Sequence, residues 1–535
     1  MKKYIYGVAA ALLSLTLAGC NDYLTEIEPG STLLEDFYTS TAAAEQNVTG
    51  CYTPLMWEFN NTYLSEWFIG DIVSDDALKG GGSTTDMADA YDMENWRTTD
   101  MNTLLLNFYR AQFQGIGRCN LALHYIGKTA VGIDADFTPE MKNRLMGECY
   151  FLRAFYYFRL VRMFAGVPMP LKIVASSEEW GMPRASVDEV YTQILCDLDS
   201  AQAMLWPKSK YKAADMGRAT TGAAQSLLMK VNLYMASPYW QSYGLTKSAA
   251  DCYKDALAWG KKVEASGEYS LCPDYEDNFT IAGENGPESV FEIQYAEVAW
   301  GDYGEGFGYT AGSFTQVLCR SRSSRIGGGW GFNHPTQNLF DEFEANDSIR
   351  KYVAILVPED SLIETPAVEY YLGNKYLNNK YGMYRDPADI GGGFGKWSLH
   401  ASRGPLNNKR CRYSDVLLMI AEAALGTGDE ATALEKINQV RARVGLSPIA
   451  SATTAALRHE RRCELAMEGH RWFDLVRWYG ANGELKTFME AYQRTETDEA
   501  QSHIQAFVAG KHEIFPIPQE EMQLNPTEVK QNSGY

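Results

Sequence analysis

Residues 413–444 read YSDVLLMIAEAALGTGDEATALEKINQVRARV. Apolar residues recur at helical spacing through YSDVLLMIAEAAL, break at GTGD, and resume through EATALEKINQVRARV. Two amphipathic helices joined by a Gly-containing turn, with Ala at close-packing positions, fit the roughly 34 residues of one tetratricopeptide repeat. A unit of this kind cannot bury its apolar face alone, so the stretch predicts further helix pairs stacked beside it.

Three more segments supply them. Residues 143–164, NRLMGECYFLRAFYYFRLVRMF, are apolar on most faces, which predicts a helix buried on more than one side, stopping at the Gly166, Pro168 and Pro170 cluster. Residues 186–205 begin with Ser186 and carry Glu189 three positions on, a capping-box pattern, with Val190, Ile194, Leu198 and Leu205 as the apolar stripe. Helical patterns also run over 219–236 and 249–264. The predicted fold is mainly α: an irregular tetratricopeptide-like scaffold of about four helix pairs, carried by 143–266 and 411–480. Residues 70–102 and 270–410 lose the period and are dense in Gly, Tyr, Trp and Asn, so they read as a large loop-rich ligand-binding region forming one face.

At the other end, Lys2 and Lys3 precede an apolar run and the sequence LAGC at 17–20. The run is too short to span a bilayer, and small residues stand before a cysteine. This predicts a lipoprotein signal over 1–19, with Cys20 acylated and a single domain over 20–535. Each buried methylene contributes about 0.8 kcal/mol, so several acyl chains make a lasting anchor. Without residues 1–19 the chain holds 46 Lys and Arg against 68 Asp and Glu, a net charge of −22. That acidity repels phosphate backbones and argues against nucleic acid. Nine scattered cysteines remain, without a CxxC pair, and predict neither a disulfide framework nor a zinc site. No cofactor or metal site is expected, although a structural Ca²⁺ would be compatible with the acidic loops.

Catalytic motifs are sparse. IGGGWG at 326–331 and IGGGFG at 390–395 lack the Lys-Ser/Thr close of a P-loop. Asp75-Asp76 is the best local pair for a glycosidase, but adjacent acids usually serve loop hydrogen bonding. Aromatic residues carry more. Trp67, Trp96, Trp300, Tyr303, Tyr309 and Trp330 lie in polar, Gly-rich surroundings, where an indole or phenol can stack on a sugar's C–H face. Asn95, Arg97, Asp302 and Asn333 stand nearby to bond its hydroxyls. In RHERRCELAMEGHRWFDLVRW, by contrast, Arg458, Arg461, Arg462, Arg471 and Arg477 interleave with Glu460, Glu464, Glu468 and Asp474, a pattern suited to ion pairs between helices.

That last segment, at 458–478, resembles the signature of SusD/RagB-type outer-membrane lipoproteins of Bacteroidetes. FLRAFYYFRLVRMFAGVPMPL at 151–171, RYSDVLLMIAEAAL at 412–425 and the ending FPIPQEEMQLNPTEVKQNSGY join it in the family's order. The resemblance implies a non-catalytic protein at the cell outer membrane, anchored at Cys20 and facing the exterior. Such a protein captures oligo- or polysaccharide and delivers it to a SusC-like TonB-dependent transporter. It also admits a peptide-capturing RagB-like protein; a surface glycoside hydrolase is the remaining alternative. The family's motifs belong to its scaffold, so the six aromatic residues rest on their own surroundings.

Overall fold

Most long helices begin on a side chain that catches a free amide. Asn102, Thr138, Ser186, Thr220 and Ser248 each accept a hydrogen bond from the backbone three residues on, and Ser186 with Glu189 forms the full reciprocal box. The computed structural model describes residues 37–57, 66–174, 176, 181–296, 312–326, 328–359, 374–382, 404–492 and 507–535. Its principal helices are α1 (Thr41–Tyr52), α2 (Glu66–Ile72), α3 (Thr103–Lys128), α4 (Pro139–Phe164), α5 (Val187–Met204), α6 (Thr221–Ala236), α7 (Ala249–Ala265), α8 (Tyr413–Thr427), α9 (Glu430–Arg443), α10 (Thr454–Glu464) and α11 (Arg471–Tyr479).

These helices pack in succession: α1 on α3, then α4, α5, α6, α7, α8 and α9, each against the next. The order makes four pairs, and the fold is the expected helical stack. Glycine sets the spacing at two crossings. A Cβ on Gly115 of α3 would lie 2.3 Å from the Tyr156 ring of α4, and one on Gly260 of α7 would lie 2.5 Å from Ile420 of α8. From Phe151 to Phe164 every residue of α4 is buried, as its all-round apolar pattern requires. Helix α4 starts four residues before the apolar period, because Thr138 and Pro139 open it ahead of a polar first turn. Helix α3 was not among the periodic segments; Gly115, Gly117 and Gly127 dilute its helical signal.

Helices α7 and α8 touch although the loop-rich stretch separates them in sequence, so that stretch is an excursion from between two members of the stack. Its base is closed by an antiparallel ribbon. Strand β2 (Ser289–Ile293) leaves after α7 and pairs with β6 (Asn408–Arg412), which runs directly into α8. Two further ribbons join β1 (Ala77–Gly80) to β3 (Phe332–Pro335) and β4 (Ile355–Leu356) to β5 (Leu377–Asn378). Among the described residues no helix is long and apolar enough to cross a membrane. The described cysteines carry free thiols.

Around α10 and α11 the expected ion pairs form for Arg461, Arg462, Arg471 and Arg477 but not, among the described residues, for Arg458, and they reach beyond the helices. Arg461 joins Asp415 and Asp474, both at 2.6 Å, while Arg477 joins Glu422 and Asp474. Glu464 and Glu468 turn instead to Arg412 at the end of β6, at 3.0 and 2.7 Å.

Candidate functional site

The β1/β3 ribbon brings the two loop-rich regions onto one face, pairing Ala77 with Pro335, Leu78 with His334 and Gly80 with Phe332. Glycine is required at this junction. Gly80 has φ +78°, and a Cβ there would stand 2.3 Å from the carbonyl oxygen of Gly331. Gly329 and Gly331 of the glycine run thus serve backbone packing. Gly329 lies against the backbone of Val317 and Arg320, and Gly331 has φ +68°. Trp330 donates its backbone N–H to Val317 at 2.7 Å, which holds the residue in place. Its indole is half-buried, with the Phe314 ring 6.3 Å away.

Polar groups gather beside it. The Arg322 guanidinium lies over Gly82, where a Cβ would be 3.0 Å from Cζ, and reaches both Asp86 Oδ2 and the Trp330 carbonyl at 3.4 Å. Asp86 also accepts from the Gly82 amide at 2.8 Å. Beneath them, buried Lys79 donates to the Ser83 carbonyl at 2.9 Å and to that of Asp86, closing the loop. Burial pushes its ammonium down to about 8, against the pull of Glu94 and Asp86. Exposed Arg97 stacks 4.9 Å from the Tyr91 ring centroid. The result is a shelf with one half-buried indole, the exposed Arg322 guanidinium and a carboxylate. That is the chemistry of stacking on an apolar ring face while bonding a polar rim. Arg322 and Asp86 carry no signal in the sequence beyond lying near glycine runs.

The other predicted aromatics divide. Trp67 is 1% exposed, its ring 5.1 Å from Tyr381 and 5.8 Å from Phe68. Trp96 is 6% exposed, packed at 5.0 Å against Trp472 and Phe507 and stacked at 5.8 Å on His512. Both are core residues, which corrects their assignment to the ligand face: their neighbours in sequence are polar, but distant parts of the chain cover their rings. Trp300, Tyr303 and Tyr309 lie outside the described residues, as do Cys20 and Asp302. Asn333 is fully buried and donates to Asp71, and Asn95 turns to the Tyr91 carbonyl, so neither offers its amide to a ligand. Asp75 and Asp76 are committed to guanidiniums. Arg471 grips Asp75 at 2.7 and 2.8 Å, and Arg462 meets Asp76 at 2.8 Å. Burial opposes ionisation of Asp75, yet Arg462 and Arg471 hold it down at about 2.

Comparison with known proteins places this architecture. Residues 374–535 match the model of the SusD family, and residues 22–233 match a SusD-like family described as starch-binding, associating with the outer membrane. The chain belongs to the SusD/RagB family. Among curated members, SusD-like protein P2 of Formosa agariphila is 25% identical over the whole of both chains. A SusD-like protein of Bacteroides ovatus is also 25% identical, over 88% of this chain and 81% of its own length. Among solved structures, a laminarin-binding SusD-like protein is 28% identical with a TM-score of 0.76, over 92% of this chain and 99% of that one. Surface glycan-binding protein A from Bacteroides fluxus shares the fold at 24% identity and a TM-score of 0.75, over 93% of this chain and 100% of that one. The SusD-family scaffold is therefore the helical stack, and the shelf at Trp330 sits on its excursion.

Proposed function

We propose that this SusD-family chain is a glycan-binding lipoprotein of the outer membrane, held by Cys20, that captures oligo- or polysaccharide and passes it to a TonB-dependent transporter. The observation that carries the reading is the half-buried Trp330 beside Arg322 and Asp86, on a face assembled from two loop regions. The likeness to a laminarin-binding SusD-like protein and the description of the matched amino-terminal family support it. No bond is made or broken in this mechanism. An indole takes the apolar face of a sugar ring, and the guanidinium and carboxylate take its hydroxyls. Modest affinity suits hand-over to the transporter.

Native gels containing a panel of plant, microbial and host polysaccharides test the capture, using the chain without residues 1–20. Retardation in at least one gel, lost in Trp330→Ala, is the expected result. Retardation unchanged in Trp330→Ala would move the site elsewhere, and binding of peptides without any glycan would favour the peptide-capturing branch. For the anchor and the partner, Cys20→Ala should release the protein from the membrane fraction. The lipidated form should co-purify with an outer-membrane barrel.

A further inference from the structure

A cleft of about 590 Å³ opens between α10, α11 and the short helices Gln337–Glu342 and Glu484–Ala491, and none of the Trp330 shelf residues lines it. The volume is within the range of ligand sites, about 300–1,000 Å³. Its charged lining consists of Arg458, His459, Arg462 and Arg471 against Asp75 and Glu342, a positive balance inside a chain of net charge −20. Three of the cations are already committed. Arg471 is bidentate on Asp75, Arg462 bridges Asp76 and Glu342 at 2.8 and 2.9 Å, and His459 Nδ1 meets Glu342 at 2.7 Å. The Cys463 sulfur and the Glu342 carboxylate raise His459 to about 10, which keeps it charged at neutral pH.

Arg458 is different. Its guanidinium stacks 4.9 Å from the Trp478 ring centroid and 4.5 Å from that of Tyr479, and it makes no ion pair among the described residues. Its Nε is buried without a hydrogen-bond partner there. Stacking fixes the plane of the fork and leaves its edge for a planar or tetrahedral anion. The cleft also offers Tyr479, stacked on Phe488 at 5.0 Å, as an aromatic wall, and the exposed Thr454 one helical turn before Arg458 as a hydroxyl. A ring with hydroxyls and one acidic group meets all of these features.

We propose that this cleft is a second ligand site, in which Arg458 receives the carboxylate or sulfate of an acidic sugar ring. The proposal goes beyond glycan capture at Trp330 and does not rest on it. Calorimetric titration of the chain without residues 1–20 with trigalacturonate, a κ-carrageenan tetrasaccharide and neutral laminaritriose tests it. At least one acidic probe should bind, and added salt should weaken the binding. Arg458→Gln should weaken it about tenfold or more, as loss of a charge-assisted hydrogen bond does. Thr454→Glu, at an exposed first-turn position where an acid suits the helix, should weaken it similarly without disturbing the fold. Trp330→Ala should leave it unchanged. Which acidic probe binds distinguishes carboxylate from sulfate. Failure of both acidic probes, laminaritriose binding of equal strength that Arg458→Gln weakens as much, or acidic binding that survives Arg458→Gln and Thr454→Glu would each overturn the site.

Discussion

The charge lattice around Arg412 and the shelf around Trp330 use the same residue types under opposite conditions. In the lattice, Arg412 is 1% exposed and touches Glu288 at 2.6 Å, Glu464 at 3.0 Å and Glu468 at 2.8 Å. On the shelf, exposed Arg322 meets one carboxylate, at 3.4 Å. A buried guanidinium must satisfy its carboxylates within the protein, because water cannot; an exposed one keeps donors for a ligand. The lattice thereby ties β6, where the loop excursion returns, to α10. Among the described residues no such lattice surrounds Arg322 and Asp86.

Removing Arg412 attacks this contrast at its strongest point. Arg412→Met would leave Glu288 and Glu464 to Arg443 and Glu468 to Lys380, an excess of buried negative charge, and a loss of about 3–5 kcal/mol is expected, read as a lowered urea midpoint. A neutral result would mean that the lattice is not what fixes the base of the excursion. Trp96→Ala should come close behind, at about 3–5 kcal/mol of stability, as for other deleted core indoles.

Trp96 also marks where sequence reading stopped working. Helices at 413–444, the Ser186 capping box and the apolar α4 were legible because their signals lie within a turn or two of chain. The burial of Trp96 depends on Trp472, Phe507 and His512, and that of Trp67 on Tyr381 and the close backbone approach of Gly469. No window along the chain contains those contacts. Trp330 is only partly covered: its backbone is held between Gly329 and Gly331 while its ring packs in part against the core. Arg458 shows the same limit within one helix. Its spacing matches that of Arg461 and Arg462, yet it faces aromatic rings where they face carboxylates.

Acid should loosen the ribbon beneath the shelf. His334 in β3 is fully buried, neither ring nitrogen has a hydrogen-bond partner among the described residues, and burial together with the Lys79 charge pushes it down to about 4. With an unfolded value near 6.5, the unfolded chain binds the extra proton between those limits, so this stability is present above about pH 6.5 and lost as pH falls toward 4. The loss is on the order of 3 kcal/mol for a shift of this size. His334→Leu should flatten that part of the pH dependence of the urea midpoint, and an unchanged slope would refute the assignment.

The smallest effects should be on binding, where the shelf is tested directly. Trp330→Ala should weaken glycan binding by about 1–3 kcal/mol, the range seen for base–aromatic stacking. Arg322→Gln should do less. The guanidinium's pairing with Asp86 is long and solvent-exposed, so its removal costs the fold almost nothing, and a hydrogen bond to a sugar hydroxyl contributes about 0.5–1.5 kcal/mol. Glutamine keeps donors at nearly the same reach, which should hold the loss in affinity to the lower end of that range. Calorimetry on Arg322→Gln and Arg322→Ala separates the contributions: a larger loss in the alanine variant would identify the hydrogen bond. Equal losses would mean that charge pairing across Gly82 positions Trp330, and that the shelf depends on an ion pair after all.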